Sequence, residues 1–140
     1  MKAAGVEIRC LCGAVRAELA GEPLMQFYCH CDDCQAVSGG AYVALAMFPL
    51  AALRVLQGET APFTLRSLSR ERCAACGTQL FVRLPAQGAC VVKANLLPAA
   101  MRKSEFHMQC RYAVLPVKDG LPHYRGVPVI FGGSDEVMEW

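Results

Sequence analysis

Seven of the chain's nine cysteines fall into three short groups, Cys10-x-Cys12, Cys29-x-Cys31-x2-Cys34 and Cys73-x2-Cys76. This spacing constrains the fold more than any hydrophobic pattern in the chain. Thiols one or two residues apart reach a common point only from a tight loop, and thiolates so grouped select soft or borderline metals, Zn²⁺ above all. The two pairs together offer four sulfurs, enough to close a tetrahedral structural site. Each pair is followed by a glycine, Gly13 or Gly77, which eases the sharp turn of a zinc knuckle. A site of this kind would tie an early hairpin to the middle of the chain and replace core that a small domain lacks. A lone C-x2-C suits ordinary buried thiols equally well, but two pairs and a triple together argue against that. A thioredoxin-like reading of Cys73-x2-Cys76 needs a long following helix, and no such pattern follows.

The middle group differs in number. A structural zinc site takes four protein ligands, whereas a catalytic one keeps three and leaves a position for water or substrate. His30 is either a fourth ligand or a supporting or surface residue. Its place between two ligands favours the second reading, because its side chain then points away from the metal its neighbours share.

Length and composition frame this reading. The 140 residues suffice for one domain with its own core, and 54% apolar with 19% charged residues argues against disorder. The formal charge of +2, with no basic block, leaves nucleic acid no footprint. Seven thiolates and two divalent ions would bring that charge to −1, so net charge says little about partners. Residues 1–9 lack an apolar run of the secretory kind, so a cytoplasmic location with reduced thiols is expected. Residues 35–53 carry no charge but contain Ser38, Gly39, Gly40 and Pro49; they read as a buried strand and a turn, not a membrane span.

Along the chain, residues 6–20 suggest a hairpin whose turn holds Cys10 and Cys12. Residues 24–28 lead into the triple-cysteine loop, and residues 32–37 suit one helical turn, stopped by Ser38-Gly39-Gly40. Further short strands are expected over residues 41–48, 54–57, 63–68, 79–84, 90–94 and 106–108. Residues 49–53 form a turn or short helix. Residues 116–140 read as an ordered tail crossing the surface. Many short strands between turn signals predict a single all-β domain, β-rich with short helical turns. Cys90 is expected in the core and Cys110 partly exposed. His107 and His123 are single histidines of the kind more often structural than catalytic.

With these residues in view the chain resembles the glutathione-dependent formaldehyde-activating enzymes, which include the centromere protein V relatives. The resemblance rests on Cys10-x-Cys12-Gly13-Ala14-Val15, Cys29-His30-Cys31-x2-Cys34 and Cys73-x2-Cys76-Gly77-Thr78. The run Asp119-Gly120-Leu121-Pro122-His123-Tyr124 supports it, so the likeness spans nearly the whole chain. It implies a zinc fold of the β-tent type with two Zn²⁺ per chain. Cys10, Cys12, Cys73 and Cys76 would hold the structural ion, and Cys29, Cys31 and Cys34 the catalytic one. The implied activity is that of a carbon–sulfur lyase, joining a small thiol such as glutathione to a small aldehyde such as formaldehyde to give S-hydroxymethylglutathione. The chain departs from the family pattern at Arg72, where an aromatic residue commonly stands, and in lacking the tryptophan common near Val114 to Val117, its one tryptophan being Trp140.

Three thiolates donate much charge to a metal, which favours delivery of a substrate thiolate over activation of water. Asp32, Asp33 and His30 are the nearby candidates for a general base, and the sequence does not choose among them. Two other readings fit the same fold: a chaperone-like zinc-binding interaction module with closed metal sites and an apolar patch, and a thiol sensor or zinc store that releases metal on oxidation. Small thiol and aldehyde partners are expected, with neither nucleic acid nor membrane.

Overall fold

The structure, a computed structural model, describes residues 5–140. Its strands are β1 (Val6–Arg9), β2 (Arg16–Leu19), β3 (Met25–Cys29), β4 (Val43–Pro49), β5 (Leu53–Gln57), β6 (Thr60–Leu65), β7 (Leu68–Cys73), β8 (Gln79–Leu84), β9 (Ala89–Lys93) and β10 (His107–Met108). One helix, α1 (Asp32–Ser38), lies between β3 and β4, and single 3₁₀ turns join several strands. The fold is all-β, as the turn-punctuated sequence predicts. No helix is long and apolar enough to cross a membrane. The chain forms two compact units, one of the residues up to Met25 with Ala46–Arg102, the other of Gln26–Leu45 with Lys103–Trp140.

In the first unit β1, β2 and β5 form an antiparallel sheet in that order. Alternation buries Ile8, Ala17 and Leu19 and turns Glu7 and Glu18 outward. The register sets those two glutamates opposite each other, a repulsive pair. Arg16 relieves it at Glu7, its Nη2 donating to Oε2 at 3.1 Å, and Arg54 lies 3.7 Å from Glu18. The unit's other ladder runs β9-β8-β7-β6, three antiparallel hairpins in sequence. Leu80, Phe81 and Val92 are buried there, with Cys90 in the core as expected. Burying such side chains supplies about 1.5–3 kcal/mol each.

In the second unit β10 pairs in parallel with β3, His107 opposite Tyr28 and Met108 opposite Cys29. Phe27 is buried against Phe106 in a near-parallel stack at 5.3 Å and against the edge of Phe131 at 5.4 Å. α1 starts where the Cys31 Sγ accepts the Cys34 amide as an N-cap, and it ends at Gly39, whose φ is 73°.

Two expectations are corrected. Residues 63–68 are not one strand: Arg66, at a φ of 58°, turns the chain with Ser67 between β6 and β7. β7 buries Arg70 and Cys73, three positions apart, so it lacks the period-two signal of a strand. Cys110 is buried, not partly exposed. It opens a 3₁₀ turn, Cys110–Tyr112, and its amide donates to the Tyr124 carbonyl at 3.0 Å.

Candidate metal centres and a buried histidine chain

Both knuckles of the four-cysteine group are hairpin turns. The first joins β1 to β2: Gly13, at a φ of 79°, donates its amide to the Cys10 carbonyl, and the Val15 amide donates to Cys10 Sγ at 3.2 Å. The second joins β7 to β8: Gly77, at a φ of 77°, donates to the Cys73 carbonyl, and the Cys76 amide donates to Cys73 Sγ at 3.4 Å. The register shift between Glu71 and Arg72 falls immediately before this turn.

The four thiols of these knuckles form one group. Cys10 Sγ lies 3.5 Å from Cys12 Sγ, and Cys12 Sγ lies 3.8 Å from Cys73 Sγ. Zn–S bonds of about 2.3 Å in a tetrahedron set sulfurs about 3.8 Å apart, so the donor set fits that ion. Thr78, which spacing alone does not single out, links the two turns. Its hydroxyl accepts the Leu11 amide at 3.1 Å and lies 3.0 Å from Cys76 Sγ. The Thr78 hydroxyl and amide hold the Cys76 thiol down, to about 5.

Cys29, Cys31 and Cys34 form a second group, from the end of β3 and the start of α1. Cys29 and Cys34 are buried and Cys31 is partly exposed, so the loop is more enclosed than a surface turn. Among the described residues no fourth Cys, His, Asp or Glu joins this group. Hydrogen bonds from Cys29 and Cys34 hold the Cys31 thiol far below its ordinary range, and sharing with Cys31 pushes Cys29 up. Three thiolates this close repel one another, and a divalent cation would offset that repulsion. The Gln35 side-chain amide braces the loop, donating to the His30 carbonyl at 2.8 Å and the Tyr112 carbonyl at 2.9 Å.

His30 is outside the thiol group and fully buried. Its Nε2 lies 2.8 Å from Nδ1 of His107, and Nε2 of His107 lies 2.6 Å from Oδ2 of Asp119. Its ring stacks on Tyr42 at 4.8 Å, with Trp140 edge-on at 5.4 Å. Burial pushes the His30 imidazole down to about 4. Burial by itself would raise the Asp119 carboxyl, but the hydrogen bonds from His107 and the Leu121 amide outweigh it and hold it below the usual range. His123 stacks on His107 at 4.4 Å, and its Nε2 donates to the Val117 carbonyl at 2.7 Å.

His107, Asp119 and His123 have their ligand atoms close enough to resemble a third metal group. The 2.6 Å contact between His107 and Asp119 is that of a hydrogen bond, shorter than two ligands of one ion usually lie. Two ligands about 2.0–2.2 Å from one ion and at right angles lie about 2.9 Å apart, and farther at tetrahedral angles. The contact is a charge-assisted hydrogen bond. Sequence reasoning gave His30 only as a ligand, a supporting residue or a candidate base, favoured structural roles for His107 and His123, met Asp119 and Trp140 only in the comparison with the family pattern, and did not single out Tyr42. The one available signal was the spacing of Asp119 and His123 within a single short run.

Fold and site together describe a small all-β protein with one four-thiol and one three-thiol cluster, each of which could hold a metal ion. The sequence profile of the glutathione-dependent formaldehyde-activating enzymes matches residues 5–114, and the chain belongs to that family. Among solved structures it is similar to a Rhodobacter sphaeroides protein, with a TM-score of 0.55 and 22% identity over 67% of this chain and 89% of that one. That likeness supports the fold. A comparison with curated proteins finds no match.

Proposed function

We propose that the protein is a zinc-dependent carbon–sulfur lyase acting on a small thiol, glutathione or a relative of it, and a small carbonyl compound such as formaldehyde. In the joining direction the thiol S–H adds across C=O: the carbon–sulfur bond forms, the carbonyl π bond breaks and the proton ends on oxygen. The observation that carries this reading is the contrast between the clusters, four thiols in one and three in the other. The first matches a closed structural site and the second a site with an open position.

Cys29, Cys31 and Cys34 would hold the catalytic ion, and Cys10, Cys12, Cys73 and Cys76 the structural one. A zinc ion so held supplies a position where a thiol is bound as thiolate at neutral pH. The chain's own residues do the rest. The Cys31 N-cap and the Gln35 bridges fix the loop's conformation, so the three sulfurs need little reorganisation to bind. The burial of Cys29 and Cys34 keeps water from two of the three sulfurs, which strengthens the charge interactions they make.

Cobalt substitution tests the reading, because a thiolate charge-transfer band reports any added sulfur ligand. Glutathione or another small thiol should change the spectrum of the wild type. The protein should then speed exchange between formaldehyde and its thiol adduct above the spontaneous rate. Spectral silence towards a panel of thiols, with no acceleration, would replace this reading with that of a binding module. Thiol binding without acceleration would leave a sensor or carrier.

A further inference from the structure

We propose that Arg70 and Arg72, on one face of the β6–β7 hairpin, form a binding site for a small dianionic oxyanion, a phosphate group above all. Neither residue belongs to a thiol cluster, and the site is independent of the function proposed above.

The register places both arginines on the same face. Phe63 of β6 stands directly opposite Arg70, and the pairing runs without a shift from Thr60 opposite Cys73 to Leu65 opposite Leu68. Paired residues of an antiparallel ladder point to one side, as do residues two apart on a strand. The Arg72 guanidinium agrees with this, lying over the Phe63 ring at 5.3 Å from its centroid. Glu71, the one acidic residue of the two strands, points to the other side. Its carboxylate is held there by Arg83 Nε, which donates at 2.8 Å, and by the Thr60 hydroxyl at 2.9 Å. No acidic side chain of the hairpin is left for the two arginines.

Arg70 is 5% exposed. Among the described residues its guanidinium makes one long hydrogen bond, Nη1 donating to the Leu68 carbonyl at 3.4 Å, and has no ion-pair partner. A neutral acceptor at that distance offsets little of the cost of burying a cation. Arg72 carries the same sign on the same face, and each guanidinium adds to the cost of the other. No nitrogen of Arg70 is among the sealed side-chain atoms that lack a partner, so its remaining N–H groups meet the surface. Arg72 is exposed and Phe63 partly exposed, which leaves the face open to an ion from solvent. A guanidinium offers paired N–H groups to two oxygens of one anion. Two of them match the nearly two negative charges of a phosphate group at neutral pH. Without an anion, Arg70 is a side chain with its stem packed and its head at the water's edge, and it then binds nothing.

The arginine Nε–H resonances of labelled, zinc-loaded protein report the site directly. At constant ionic strength, inorganic phosphate should shift the Arg70 and Arg72 signals along one saturable curve, and acetate and chloride should not. Arg72→Gln, at an exposed position, should weaken phosphate binding at least about tenfold, the ratio set by a charge-assisted hydrogen bond. Arg70→Met, which keeps the stem and removes the charge, should abolish it. Phosphate should also raise the denaturant midpoint of the wild type and leave that of Arg70→Met unmoved. Zinc content measured in each sample separates binding at the arginines from loss of metal to phosphate.

If phosphate moves neither signal, or if chloride moves them equally, Arg70 keeps its head in water for its own sake and the proposal is overturned. Saturation that persists unweakened in both variants places the ion elsewhere and overturns it too. If succinate saturates the signals and phosphate does not, the phosphate assignment fails. Should Arg70→Met not fold, Arg72→Gln against wild type decides alone: a tenfold loss sustains the site, and equal affinity overturns it.

Discussion

The Thr78 hydroxyl accepts the Leu11 amide at 3.1 Å across 67 residues of sequence, and the same oxygen lies 3.0 Å from Cys76 Sγ. One small side chain thus joins the tip of the first knuckle to a thiol of the second. Thr78→Val keeps the shape and removes the hydroxyl. It should lower stability by about 1 kcal/mol, the worth of a typical hydrogen bond, and speed loss of one metal ion to a competing chelator. Denaturant melts and chelator kinetics on the zinc-loaded protein check both. Equal chelator kinetics in variant and wild type would show that the hydroxyl has no part in holding the cluster.

The two thiol clusters should respond differently to loss of a ligand. Structural zinc supplies on the order of 10 kcal/mol of apparent binding free energy, comparable with the whole stability of a small domain. Cys76→Ser should therefore reduce zinc content and folded yield together. Cys31, the partly exposed thiol of its group, should when changed to Ser cost one ion per chain and less of the fold. Metal analysis alongside thermal melts makes the comparison, and equal collapse of both variants would make both sites structural.

Gly58 sits in the link between β5 and β6, at a φ of 90°. A Cβ there would meet the backbone of Ala14 and lie 2.8 Å from the Val15 Cα. On its other side the link holds the second knuckle, because the Glu59 carbonyl accepts the Ala74 amide at 3.0 Å. Gly58→Ala combines an unfavourable φ with a clash against main chain and should cost at least about 2 kcal/mol. Because the link braces both knuckles, the variant should also surrender the four-thiol metal more readily. A denaturant midpoint equal to that of the wild type would refute this.

Cys90 and Cys110 stand apart from both clusters and are buried. Burial pushes the Cys90 thiol up and the Cys110 thiol to about 11. Thiolate is the reactive form, so both should resist alkylation in the folded, metal-loaded protein at pH 8 and react once it unfolds. For Cys110 the sign is that of a raised acid: its reaction should grow as pH rises towards 11. Mass-spectrometric mapping of the alkylated cysteines gives the answer directly. Rapid native labelling of Cys110 at pH 8 would contradict its placement.

The cysteine grouping, the two knuckle turns and most strands were legible in the sequence because they are local. A C-x-C or C-x2-C followed by glycine carries its own turn, and Cys31 caps α1 from within the motif it belongs to. β7 escaped because its burial follows Arg70 and Cys73, not alternate residues, and because Arg66 takes a left-handed φ that usually marks glycine. The histidine chain was beyond reach for a different reason. His30 meets His107 across 77 residues and His107 meets Asp119 across 12. Which nitrogen of His30 carries a proton depends on every link between it and that carboxylate. Sequence spacing determines which thiols can share a metal, since a short loop holds them together whatever surrounds it. The orientation of a buried imidazole is decided by partners that only tertiary packing brings within hydrogen-bond distance.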